Sequence, residues 1–375
     1  MRFGVNVRRL EGQRLGIGRY LEYLLGTWKD VLAADESMML YLRAPLRPED
    51  AWIEEAYDTA VLGPRLTGVT WETLAMAPRI EKDTDVFFGP SYSLPLGYRG
   101  RCVVATHSLN EYTPGAHPWW HRYTFTPVYR WSARKAMKVI VPSDMVGDRV
   151  VRHYHVQPGK IEVVREGAPD SFEPVEDEDV LRRTRLEYTG DEAPYVLFVG
   201  KFSERRNIPL LIRAFAKLKV ETDLPHNLLL LGPNHLNLPL EELIDELGVA
   251  GSVSIRNPKF ARHADIVPVF SAAELYTFPS LFEGASNTVV EAMSCGVPVV
   301  AGRCEAIADI VEGSGTLIDE VTVDTVAEGM KEALTDRTLW QDMRGRGLEK
   351  SKTLRWSRTA KHTLDVLRWA ATAPR

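Results

Sequence analysis

Short apolar runs recur along the chain and are separated by segments in which apolar residues return at helical spacing. In the first half the runs fall at 3–6, 38–42, 86–88, 102–106, 138–141 and 161–164. Strands that alternate with helices argue for a parallel sheet covered on both faces. Between the first two runs Ile17, Leu21, Leu24, Leu25 and Trp28 mark one buried helix face, and the glycine-rich stretch from Gly12 to Gly18 leads into it. A second alternation has strands at 195–199, 228–231, 253–255, 275–278 and 297–301. The chain therefore reads as two α/β domains of the same architecture.

Between the two alternations, residues 169–193 turn acidic and polar, with Asp177-Glu178-Asp179 and a short charged helical piece near 181–186. This stretch is expected to be the linker between a domain at 1–168 and a domain at 194–354. The acidic triplet imitates a metal-binding Asp-x-Asp but has no apolar strand before it, so no metal site is expected. At 355–375, Trp356, Ala360, Thr363, Leu364 and Leu367 share one helix face, which demands an apolar partner.

Length agrees with the pattern, because 375 residues exceed what one hydrophobic core usually organises. A hydrophobic fraction of 45% with 26% charged residues is that of an ordinary globular protein. The net charge of -5 offers no basic field for nucleic acid, which is set aside as a partner. Three cysteines suit reduced thiols better than a disulfide framework, and a cytoplasmic location is expected. The first residues read as a strand and not as a signal peptide, and no apolar run is long enough to span a bilayer. Segment 117–138 carries Trp119, Trp120, Tyr123, Phe125, Tyr129 and Trp131 with five Lys or Arg and no acid. It is either a helix with its aromatics in the core or a surface for peripheral contact with the inner face of a membrane.

The richest chemistry lies between 279 and 300. The order there is strand end, glycine turn, short helix, glycine stop and next strand. Ser286, Asn287 and Thr288 suit the start of that helix, whose amide end would face the carboxyl edge of the sheet and bind phosphate. Glu283 precedes the helix and Glu291 lies about one turn inside it, so the carboxylates flank the phosphate position and can accept from sugar and ribose hydroxyls. A second patch follows the strand at 195–199: Gly200, then Lys201 and Arg206, two cations placed to hold a pyrophosphate, with Asn207 as a helix cap and Pro209 in the first turn. In the first domain Gly16 and Gly18 let a ligand approach the backbone, and His107 ends a strand at its carboxyl edge. The third glycine of the dinucleotide fingerprint is replaced by Leu21, which argues against an NAD enzyme.

With Glu283 and Glu291 separated by seven residues and followed by Ala-Met-Ser-Cys-Gly-Val-Pro-Val-Val, the chain resembles the retaining glycosyltransferases of family four. The match extends to Val141-Pro142-Ser143, to Val163-Val164-Arg165-Glu166-Gly167 and to the segment around Trp356. It departs at Ala285-Ser286-Asn287-Thr288, at Ser108 after His107, at Glu166 where Asn is frequent, and in the order of Lys201 and Arg206. The resemblance implies the GT-B fold: two Rossmann-like domains facing each other across a cleft, with the C-terminal helix crossing back to the first. It also implies a metal-independent transfer that retains anomeric configuration, with no cofactor beyond a GDP- or UDP-linked sugar. The catalytic residues it implies are Glu283, Lys201, Arg206 and His107, and the donor contacts are Gly16, Gly18, Gly200, Ser286, Asn287, Thr288 and Glu291. The opening at Gly16-Ile17-Gly18-Arg19-Tyr20 looks most like bacterial polysaccharide mannosyltransferases, which favours mannose and a saccharide or lipid-linked acceptor. A sugar-nucleotide epimerase on the same fold and a non-catalytic partner subunit are the alternatives.

Overall fold

The computed structural model describes residues 1–11, 16–63, 66, 68–112 and 119–374. Two compact units emerge, one made of Met1–Glu166 with Trp356–Arg375 and the other of Gly167–Arg355.

The sheet of the first unit has seven parallel strands: β1 (Arg2–Asn6), β2 (Ser37–Leu42), β3 (Asp58–Val61), β4 (Val86–Gly89), β5 (Cys102–Ala105), β6 (Lys138–Val141) and β7 (Ile161–Val163). Their order in space is β3-β2-β1-β4-β5-β6-β7, so the chain reverses its direction of build-out between β1 and β4. Phe3, Val5, Phe87, Phe88, Val103 and Val104 are fully buried, because helices cover both faces and a continuous apolar run is needed in place of an alternating one.

Helix Trp356–Thr372 belongs to this unit and packs along helix Ile17–Val31. The apolar partner demanded by its face is therefore the N-terminal sheet layer: Trp28 Nε1 donates to Ala360 O at 2.7 Å, and Trp356 stacks on Tyr23 at 5.2 Å. Trp356 is 2% exposed, and Trp356→Ala is expected to cost about 3–5 kcal/mol. Urea unfolding should show an earlier transition for the first unit and an unshifted one for the second; coincident wild-type transitions would refute this assignment.

The second unit has six parallel strands, β8 (Tyr195–Val199), β9 (Asn227–Leu231), β10 (Val253–Arg256), β11 (Ala273–Phe278), β12 (Val299–Gly302) and β13 (Thr316–Ile318). They lie in the order β10-β9-β8-β11-β12-β13, with the reversal between β8 and β11. The helical piece expected in the acidic segment after 169 is helix Glu178–Thr189, longer than the 181–186 expected and with Leu181 and Thr184 buried. Its acids act locally: Asp177 caps the helix by accepting from the amides of Asp179 and Val180 at 3.0 and 3.2 Å, and Glu178 and Asp179 occupy the first turn.

Candidate functional site

In an open parallel sheet, loops leaving the carboxyl ends of strands diverge where strand order reverses, and that divergence leaves a crevice for ligands. In the second unit the two loops at this point follow β8 and β11. They are the two segments singled out above, Gly200–Arg206 and Ser280–Ser286.

The loops are locked together through Glu283, which is 3% exposed. Its Oε1 accepts from Arg206 Nε at 3.1 Å and from Ser280 Oγ at 3.2 Å, and Oε2 pairs with Arg205. Arg205 Nη1 also donates to Phe282 O at 2.6 Å, and the Leu281 amide donates to Arg205 O at 2.8 Å. Burying a carboxylate is costly unless it is paired and hydrogen-bonded, and two guanidiniums meet that condition here. Arg206 further donates to Lys201 O at 3.1 Å and lies 5.6 Å over the Phe278 ring. Gly200 makes room for it: a Cβ there would stand 2.3 Å from Arg206 Nη1, and the backbone φ of +144° is one that glycine tolerates.

Sequence spacing pairs Lys201 with Arg206, whereas the structure joins Arg206 to Glu283 and leaves Lys201 exposed. Arg205 carried no signal of its own, because its partner is distant in sequence. Asn207 stands at the start of helix Ile208–Glu221 but does not cap it through its side chain; it adopts a left-handed φ of +57°, which Asn tolerates better than most residues. Pro209 is in the first turn as expected.

Helix Asn287–Ser294 starts at Ser286, and the Ser286 hydroxyl makes no capping bond. Ser286 Oγ is buried with no hydrogen-bond partner among the described residues. Thr288 Oγ1 is engaged, accepting from the Tyr276 hydroxyl at 2.9 Å. Glu291 is 1% exposed, so it does not decorate a surface, and it faces His263 Nε2 at 3.4 Å. His263 was invisible to sequence reasoning because its loop has no recognisable spacing to the helix. Burial pushes the Cys102 thiol up to about 11 and holds Cys295 and Cys304 above the ordinary range, so none of these thiols is poised as a nucleophile.

In the first unit Gly16 precedes helix Ile17–Val31 with φ +54°, and Gly18 is buried in its first turn. The rest of that glycine-rich stretch, 12–15, lies outside the described residues. His107 follows β5 with both ring nitrogens engaged: Nε2 faces Pro90 O and Nδ1 faces Glu166 Oε1, each at 2.9 Å. Tyr20 and Tyr92 close on the ring edge-on at 4.7 and 5.8 Å. The Glu166 that departs from the family pattern is thus the carboxylate that fixes this histidine. Of segment 117–138, residues 117–118 and the side chains of Trp119 and Trp120 lie outside what is described; in helix Trp119–Lys135, Tyr129 and Trp131 pack against the core and Tyr123 is exposed. Among the described residues no helix is long and apolar enough to cross a membrane.

Two doubly wound parallel sheets, each with polar side chains gathered where strand order reverses, define the chain as an α/β protein of two Rossmann-like units. Residues 16–172 match the family described as Glycosyltransferase Family 4, and residues 193–336 match Glycosyl transferases group 1. The chain is 26% identical over 299 residues to O-antigen chain mannosyltransferase B of Escherichia coli, covering 78% of this chain and 76% of that one. Its fold is similar to that of sucrose-phosphate synthase from Thermosynechococcus elongatus (TM-score 0.76, 19% identity, all of both chains). It is also similar to Anabaena Alr3699/HepE in complex with UDP-glucose (TM-score 0.77, 16% identity, 98% and 99% covered). The chain belongs to the family-four glycosyltransferases and has the GT-B fold.

Proposed function

We propose that this glycosyltransferase moves a hexose, with mannose preferred, from a GDP- or UDP-linked donor to a saccharide or lipid-linked acceptor, retaining anomeric configuration, in cell-surface polysaccharide or glycoconjugate synthesis. The observation that carries the reading is the buried Glu283 held by Arg205 and Arg206 at the reversal point of the second sheet, beside the start of helix Asn287–Ser294. The mannosyltransferase similarity supports the sugar, and the UDP-glucose bound to a protein of the same fold supports the donor class.

In this reading the donor lies on the second unit. Its diphosphate meets the helix amides, the unpartnered Ser286 hydroxyl and the exposed Lys201, with Gly200 allowing close approach and Arg206 adding positive charge. Asn287 and Thr288 form the first turn of that phosphate-facing end. Glu291 accepts from ribose hydroxyls, and Glu283 orients the sugar and favours the developing oxocarbenium charge. A front-face reaction needs no protein nucleophile: the departing phosphate oxygen takes the acceptor proton while the cations and amides stabilise its charge. On the first unit, the residues we assign to sugar recognition are Gly16, Gly18 and His107, the last fixed by Glu166. The cationic helix at 119–135 with its exposed Tyr123 is suited to peripheral contact with the inner face of a membrane, in keeping with a cytoplasmic enzyme.

The test is a screen of GDP- and UDP-sugars for calorimetric binding and slow hydrolysis, followed by NMR of the released or transferred sugar, with and without EDTA. GDP-mannose is expected to bind best, the anomer to be retained, and rates to survive the chelator. An inverted anomer would overturn retention. Loss with EDTA and recovery with Mg²⁺ or Mn²⁺ would overturn metal independence. An epimerised sugar still linked to its nucleotide would establish the epimerase alternative.

A further inference from the structure

The first sheet has its own reversal point, between β1 and β4, and the residues there form a charged cluster that the donor reading leaves unused. Arg8 and Arg9 follow β1 on a short 3-10 turn. Ser91, Tyr92 and Ser93 follow β4. Glu72 comes in from a neighbouring helical segment, and it is fully buried. Arg8 Nε forms an ion pair with Glu72 Oε1 at 2.9 Å, and the same oxygen accepts hydrogen bonds from Asn6 Nδ2 at 2.9 Å and Ser93 Oγ at 3.1 Å. Glu72 Oε2 is buried and has no hydrogen-bond partner among the described residues. Arg9 is exposed, and its Nε donates to Ser91 Oγ at 3.1 Å.

Three features mark this cluster as more than an internal ion pair. Glu72 opens a π-helical turn, Glu72–Met76, a geometry that is rare and concentrates at functional sites. Tyr92 holds φ at +64°, unusual for a bulky side chain, and its strained loop delivers both Ser91 and Ser93. The charge is also unbalanced: two adjacent guanidiniums share one carboxylate. Reduced hydration first, then the Arg8 charge, lower the Arg9 pKa from its ordinary value although solvent reaches the residue. Burial raises the Glu72 carboxyl against the pull of Arg8 and of its two hydrogen bonds. A ligand bringing negative charge to Arg9 relieves the repulsion between the two arginines.

We propose that Arg9, backed by Arg8 and fixed by Ser91, binds an oxyanion carried by the acceptor, a phosphate or a carboxylate, and that Glu72 is the buried counter-charge that orients Arg8. This rests on the reading that the donor lies on the second unit, and it puts the charged group of the acceptor on the first. The acceptor is then an anionic glycoconjugate, either a sugar or lipid phosphate or a uronic-acid-bearing saccharide. Glu72 is a positioning residue, and Arg9 makes the contact.

The full chain, saturated with GDP or UDP so that the donor site is filled, is titrated with hexose 1-phosphate, with methyl glucuronide and with neutral methyl glucoside. At least one anionic probe is expected to bind roughly 10-fold or more tighter than the neutral one, as loss of a charge-assisted contact implies. Which anion wins identifies the acceptor group. Arg9→Gln should abolish the preference, Arg9→Lys should keep part of it, and neither should change nucleoside diphosphate affinity. Equal affinity for charged and neutral probes, or an unchanged preference in Arg9→Gln, overturns the proposal. Weakened GDP or UDP binding in Arg9→Gln overturns it too, by giving the oxyanion to the donor. If neither nucleotide binds the wild type, the donor reading fails, and titration with inorganic phosphate, expected to weaken in Arg9→Gln, still decides the anion site.

Discussion

Glu283→Gln is expected to lower kcat by about 100-fold or more, the scale of removing one preorganised charge from a transition state. Nucleoside diphosphate affinity should stay the same or tighten. The sign follows from the pairing: the carboxylate neutralises Arg205 and Arg206, so an amide leaves more positive charge at the loop that faces the phosphates. Arg206 is not set adrift, because Lys201 O and the Phe278 ring still hold it. Calorimetry with GDP and UDP beside initial-rate kinetics checks both halves. Weaker nucleotide binding with unchanged turnover would show that Glu283 serves the phosphates and not the sugar.

Arg206→Ala and Lys201→Ala should both slow transfer from every donor, by roughly 10-fold or more for a lost charge-assisted contact, but only one should weaken the fold. Arg206 is 17% exposed and removing it strips a buried carboxylate of one of its two cations, at a cost of about 2–4 kcal/mol. Lys201 is exposed, so its loss should stay within about 0.5 kcal/mol. Urea unfolding separates the two. Equal stability would mean that Arg205 alone satisfies Glu283, and wild-type kinetics in both variants would remove the loop from the donor site.

The alternation of apolar runs made both sheets legible, because strands buried on two faces must be continuously apolar. The strands it missed are β3 and β13, which lie at sheet edges, where three or four residues with partial burial suffice and Asp58-Thr59 leaves no apolar run. The two-glutamate segment was readable because its residues are consecutive. Its electrostatics were not: Glu283 meets Arg205 and Arg206 across 77 and more positions of sequence, and no local pattern announces that meeting. The same holds for Arg8 with Glu72, joined only by a turn of strand order, and for His263 beside Glu291. The helical piece near 181–186 is legible in sequence, but the cap at Asp177 and the burial of Leu181 are not, because the run of acids around them looks solvated.

Helix Trp356–Thr372 completes a unit whose other residues end at Glu166, and this sets an order of assembly during synthesis. A ribosome releases the N-terminal sheet first, but the C-terminal helix that seals helix Ile17–Val31, where Trp28 donates to Ala360, is not made until Gly167–Arg355 has also been made. The second unit is continuous in sequence and can reach its native packing while the first still waits. The nascent N-terminal half therefore spends the longest part of translation with one side of its hydrophobic layer still open.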